Sequence, residues 1–197
     1  MPPAKAPLNS RTAALVDKKL PRYFTREEVR RILSHCSEHH KTDIYFLISF
    51  LWCTGVRVSE ATAIKTDDIN LADRTVRVHS LRRRDGHIRC IPIKADFAAE
   101  ISVWIQRKHL KAGDRLFPVT RKTAYNWVVW ACRESGFLDG RTHPQIFRHS
   151  FAVNLLTQGM PVTVVQECLG HRDLSETLIY TKIVDFNPLK LFDHLEF

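Results

Sequence analysis

Five short stretches gather side chains that could do chemistry: HCSEHH, CTGVRVSE, LRRRDG, HPQIFRHSFA and LGHRDLSETLIY. In the fourth, His143, Gln145, Arg148 and His149 fall within seven positions. Such a group could ligate a metal, exchange protons or clamp an anion. It could equally be the polar start of a helix. Arg57 follows a glycine turn and precedes Glu60. It reads either as a helix-start arginine paired with that carboxylate or as an anion ligand. Arg148 reads as a surface arginine or a clamp, and His171 as a C-capping histidine or a ligand. Tyr180 reads as a half-buried core aromatic or a nucleophile. His35 and His39 have the i,i+4 spacing of a helical metal pair. Their helix is otherwise charged and offers no obvious partner ligands, so they read as exposed histidines.

Together the patches point to one chemistry. A phosphodiester in transfer spreads negative charge over its non-bridging oxygens. Two guanidinium forks match that geometry and stay charged at any working pH. A tyrosine hydroxyl can attack phosphorus and form a covalent intermediate. That intermediate conserves bond energy, so neither ATP nor a metal is required.

These residues need a scaffold. Thr25 and Glu28 form a T-x-x-E capping box ahead of Val29, Ile32, Leu33 and Cys36 at helical spacing. Asp43 to Cys53 is apolar nearly all round and predicts a buried helix, broken by Gly55. A short helix starts near Val58, followed by a polar turn, KTDDINLAD. TVRVHS alternates Val76 and Val78 with polar residues; HIRCIPI alternates with Ile88, Cys90 and Ile91 on the apolar side. Asp85-Gly86 between them predicts a hairpin with an arginine-rich tip. Helices follow from about Asp96 to Leu110, from Thr120 to Ser135, from near Pro144 to the QGM turn, and from Pro161 or Val162 to Leu169. Ser175 is the expected N-cap of the last core helix. The fold class is thus mainly α with a small antiparallel sheet. No GxGxxG or GxxxxGK occurs, which disfavours nucleotide-cofactor chemistry.

The chain has 197 residues and 44% hydrophobic content, which suits one domain. Its net charge of +9, from 30 Lys+Arg against 21 Asp+Glu, favours a polyanionic partner. Acidic lipid is the competitor, but no clear basic amphipathic helix stands out. No run is long enough for a membrane span, and the first residues lack the core of a signal peptide. The five scattered cysteines contain no CxxC pair and suggest a reducing cytosol.

Three of the stretches resemble one family. TGVRVSE is similar to the TGLRxSEL box of the tyrosine recombinases, or phage integrases. FRHSFAVNLLTQG resembles their LRHSFATxLLxxG box, and LGHRDLSETLIYT their LGHxxxxxTxxYT box. The opening LPRYFTREEVRRIL resembles the start of their catalytic domain. The resemblance runs from Leu20 to Thr181, with three ordered motifs in register.

The resemblance implies site-specific cleavage and rejoining of double-stranded DNA through a 3′-phosphotyrosine, with release of a 5′-hydroxyl. It implies no cofactor and no metal. It implies a homotetramer on DNA, weakly associated or monomeric without it, in the cytoplasm at the nucleoid. Arg57 and Arg148 match the phosphate-clamping arginines, His171 the supporting His/Trp position, and Tyr180 the nucleophile. Two positions depart from the pattern. The hairpin tip has Arg82, Arg83 and Arg84 where the family carries a lysine acting as general acid. Arg82 fits that slot best; arginine is a poor proton donor but can stabilise an alkoxide. Lys65 or Lys94 could also reach in. Gln145 occupies the slot of a family histidine, with His143 two residues earlier across Pro144. His149 reads as a packed helix residue.

The expected organisation is a flexible basic segment over 1–19, a catalytic domain over 20–184 and a tail over 185–197. The tail's Leu189, Phe192 and Leu195 could pack at home or on a neighbouring protomer. In length and hairpin form the chain resembles the fimbrial-type DNA invertases. The two departures keep an alternative open: a DNA-binding regulator with the recombinase fold and impaired catalysis. A type IB-like relaxing enzyme is a third reading.

Overall fold

A computed structural model describes residues 20–80 and 86–184. The N-terminal segment, the hairpin tip with Arg82, Arg83 and Arg84, and the tail over 185–197 lie outside the described residues.

Helix α1 (Arg26–Glu38) starts on the expected capping box. Thr25 Oγ1 accepts from the Glu28 N–H, and the Glu28 carboxylate accepts from the Thr25 N–H. It buries Val29, Ile32 and Cys36 at helical spacing. Helix α2 (Thr42–Thr54) is buried on nearly every side and ends at Gly55, whose φ of 63° is left-handed. A short helix α3 (Val58–Ala61) and a 3-10 turn (Thr66–Asp68) lead into the sheet.

The sheet is antiparallel with strands in the order β1 (Ile69–Asn70), β2 (Thr75–His79), β3 (Ile88–Pro92). The stretch read as a polar turn therefore supplies a third strand. The larger correction concerns β3. Its inward residues are Arg89 and Ile91, while Ile88 and Cys90 face solvent. Val76 pairs with Ile91 and Val78 with Arg89. An arginine is buried where apolar alternation calls for a hydrophobe, because a buried carboxylate, Glu60, receives it.

Helix α4 (Ala95–Arg107) stops short of Leu110, and His109 turns left-handed with φ 52°. Helix α5 (Arg121–Glu134) is capped by Thr120, whose hydroxyl accepts from the Thr123 N–H. Helices α6 (Gln145–Thr157), α7 (Val162–Leu169) and α8 (Ser175–Thr181) complete the described chain. Ser175 is the first residue of α8 rather than its cap. Its N–H donates instead to the Asp173 carboxylate. Among the described residues no helix is long and apolar enough to cross a membrane.

Among the described residues two apolar clusters form the interior. The larger joins α1, α2, the sheet, α4, α5 and the first turn of α6, with Phe46 stacked on Trp104 at 4.2 Å. The smaller joins Phe151, Ala152 and Val153 of α6 to Val165 and Leu169 of α7 and Tyr180 of α8. Helix α6 therefore belongs to both. Ile146 and Phe147 face one cluster, Phe151 faces the other, and Arg148 sits between them.

The crossing of α2 and α6 is close. A Cβ on Gly55 would lie 2.3 Å from Phe151 Cδ1. Gly55→Ala is therefore expected to destabilise the fold by about 2–4 kcal/mol, from positive φ and overpacking together. Urea unfolding measures this; an unchanged midpoint would mean that the two helices do not meet so tightly.

Candidate active site

Arg57, Arg148 and the stretch that carries His171 and Tyr180 lie far apart in the chain and converge at the seam between the two clusters. The α2 cap places Arg57 just beyond Gly55. The first turns of α6 aim Arg148 back at the same glycine. The loop after α7 carries His171, and α8 brings up Tyr180.

Arg148 is fully buried, not a surface arginine. Its Nη1 donates to the Gly55 carbonyl at 2.9 Å and its Nη2 to the Leu169 carbonyl at 2.5 Å. Both acceptors terminate helices, α2 and α7, where the backbone dipole is negative. Burial, then the charge of Arg57, lowers Arg148 to about 9, so it remains charged at neutral pH. Arg57 keeps 16% of its side chain exposed and pairs with Glu60 at 3.3 Å. Helix-start pairing and membership of the cluster therefore coexist.

Glu60 is the buried counter-charge. Arg89 binds it through both terminal nitrogens, at 3.2 and 2.8 Å, and its Nε donates to the Cys168 carbonyl. Burial pushes the Glu60 carboxyl up, but the hydrogen bonds and charge of Arg89 outweigh it and hold the group below its usual range. Three arginines thus share one carboxylate. Two buried donors, Arg57 Nε and Arg148 Nε, have no acceptor among the described residues.

His171 Nδ1 lies 2.9 Å from Thr177 Oγ1 on α8. Burial, then Arg148 and Arg57, pushes His171 down to about 3. Tyr180 is 3% exposed, more buried than the half-buried aromatic expected. Burial raises its hydroxyl, so it is protonated at neutral pH. The Tyr180 hydroxyl lies 2.7 Å from His149 Nδ1. Burial, then His143 and Arg148, pushes His149 down to about 4.

Gln145 is exposed at the start of α6. His143 is half-buried and close enough to His149 to depress it. Lys65 is exposed and its backbone N–H binds Asp68; Lys94 is exposed at the start of α4, where its charge bears on Cys53. Neither contact involves the four clustered residues. His39 is exposed as expected, but His35 is half-buried, its ring 4.1 Å from that of His39 and tilted by 32°. Among the described residues no group of three or more His, Cys, Asp or Glu is placed to hold a metal.

Sequence reasoning missed Arg89 and the contact of His149. Reading β3 with Ile91 inward would have put Arg89 inside and demanded a carboxylate for it. Nothing in the sequence signals that His149 faces α8.

The histidines make an acid-stability prediction. His149 and His171 sit at about 4 and about 3 in the folded chain, below their ordinary 6.5. Their contribution is complete above that ordinary value and is lost as pH falls toward the folded values. Lowering pH from about 7 to about 5 is expected to cost about 1–3 kcal/mol after solvent screening. His171→Asn should shrink that loss in urea titrations at the two pH values; an identical loss would remove His171 as its source.

The sequence profile described as the Phage integrase family matches residues 22–185. The chain is 33% identical over 174 residues to tyrosine recombinase XerA of Thermococcus kodakarensis, covering 85% of this chain and 60% of that protein. It is 28% identical over 211 residues to a resolvase of Escherichia coli, covering 90% of this chain and 77% of the relative. Among solved structures, XerH recombinase in a post-cleavage complex with palindromic difH superposes with TM-score 0.73 at 25% identity, covering 89% of this chain and 52% of that one. The crystal structure of XerA recombinase gives TM-score 0.71 at 22% identity, covering 92% and 66%. The chain therefore spans between 52% and 77% of the length of these four proteins. With its motifs, fold and clustered residues in agreement, the chain belongs to the phage integrase family and has the tyrosine recombinase catalytic-domain fold.

Proposed function

We propose that the protein is a site-specific DNA recombinase that cuts and rejoins strands through a 3′-phosphotyrosyl intermediate. The observation that carries this reading is the buried cluster itself. Three arginines face one carboxylate, and two guanidinium donors lack acceptors among the described residues. A phosphodiester supplies the missing charge and the missing acceptors. It would enter past Arg57, the partly exposed member, and the seam would part to admit it to Arg148.

Tyr180 is the nucleophile in this reading. Its Oη bonds to phosphorus, the bond to the 5′-oxygen breaks, and that oxygen leaves as a hydroxyl. A 5′-hydroxyl of the partner strand reverses the step. Arg57 and Arg148 hold the non-bridging oxygens, and His171, neutral at working pH, donates a hydrogen bond to the phosphate through Nε2. Arg82 would steady the leaving oxygen from the hairpin. Between Gln145 and His143, the half-buried position of His143 supports it for the work of the family's histidine slot.

The named recombinases among the relatives support strand exchange over the regulator alternative. Double-stranded DNA carrying specific sites is the proposed substrate, since XerH is seen bound to difH. A homotetramer on that DNA, placed at the nucleoid in the cytoplasm, completes the proposal.

A duplex nicked beside the cleavage site tests it. Such a substrate, drawn from DNA flanking the coding region, is expected to trap a covalent adduct. Tyr180→Phe should abolish the adduct, and Arg148→Ala should slow its formation about 100- to 1,000-fold. Adduct formation by the Phe variant would rule out Tyr180.

A further inference from the structure

We propose that His149 is the proton acceptor for Tyr180, holding its phenol before attack and taking its proton as the bond to phosphorus forms. The inference rests on the reading of Tyr180 as nucleophile.

Geometry carries it. His149 Nδ1 stands 2.7 Å from Tyr180 Oη, with the rings 5.7 Å apart and tilted at 46°. The contact joins α6 to α8, two helices that pack directly. Tyr180 is almost wholly buried, so water does not compete for its hydroxyl. The charged neighbours that act on Tyr180 include Arg148 and Arg57, which can only donate. In this assignment the phenol donates to Nδ1, and His149 is the neutral tautomer with its proton on Nε2.

The groups facing the pair agree with this assignment. His143 approaches from the segment before α6, Arg148 from α6 itself, and His171 from the loop after α7. Glu176 acts on Tyr180 from α8. Burial, then His143 and Arg148, keeps His149 uncharged, which leaves it a lone pair to accept from the phenol. A phosphodiester between Arg57 and Arg148 adds a negative charge beside them. That charge raises the affinity of His149 for a proton at the moment the phenol must lose one. His171 does not compete, because its Nδ1 is engaged with Thr177.

The step balances. The Tyr180 oxygen bonds to phosphorus, and its proton passes to His149 Nδ1. The bond from phosphorus to the 5′-oxygen breaks, its electron pair stays on that oxygen, and water protonates it. On rejoining, the incoming 5′-hydroxyl loses its proton to water, and His149 returns its own to the departing Tyr180.

The test is single-turnover adduct formation on the nicked duplex, followed from about pH 6 to about pH 9. The wild-type rate is expected to be nearly flat. His149→Leu and His149→Asn should both be slower, with rates rising about tenfold per pH unit as the phenolate fraction grows. His149→Asn should be the faster of the two, because its amide oxygen can still accept the hydrogen bond. A purely structural role would instead lower the rate equally at every pH. Circular dichroism and gel shift on the same duplex report folding; if the Leu variant fails there, the Asn variant decides alone. An Asn variant with a flat profile, or one within about threefold of wild type, overturns the inference. No wild-type adduct, or an adduct that survives Tyr180→Phe, overturns the reading of Tyr180 itself.

Discussion

Surplus positive charge held out of water is the constraint around which this molecule is arranged. Arg57, Arg89 and Arg148 meet at one seam around the buried carboxylate of Glu60. Removing such charges from water is costly, and each needs an acceptor aimed at it. Three carbonyls supply much of that need, those of Gly55, Cys168 and Leu169. All three stand at the C-terminal ends of helices. Helices α2 and α7 must therefore stop where they do, and the left-handed residues Gly55 and Gly170 that end them are part of the electrostatics.

The same seam explains the placement of the two apolar clusters. Helix α6 spans both, so the residue between its two apolar faces must lie where they meet. That residue is Arg148. The smaller cluster, built on α7 and α8, brings Tyr180 and His171 against it. The hydrophobic packing fixes the backbone, and the backbone fixes distances among groups that would otherwise repel one another. An anionic substrate is the natural complement of such an arrangement.

Much of this was legible in the sequence, and the exceptions have physical causes. The Thr25 capping box, the buried α2 and the Gly55 stop follow from local rules that tertiary context did not override. The family boxes named Arg57, Arg148, His171 and Tyr180, because those residues sit in ordered motifs. Local reasoning left Arg148 open between a surface arginine and a clamp, since a lone arginine is rarely enclosed. Only the distant carbonyls of Gly55 and Leu169 make its burial tolerable. The His149 contact depends on how α8 lies across α6, and no periodicity within either segment encodes that crossing. Arg89 was hidden by its neighbours: Ile88 and Cys90 look like the inward pair.

That last misreading bears on how the sheet finds its pairing. In β3 either face could turn inward, one carrying Ile88 and Cys90, the opposite one Arg89 and Ile91. Hydrophobicity alone would favour the first, and a slip of one residue would deliver it. Such a slip would expose Arg89 and remove both of its hydrogen bonds to Glu60, leaving that buried carboxylate to Arg57. The ion pair thus acts as a lock on strand register, discriminating against a misfolded sheet whose greasy side would otherwise be the better one.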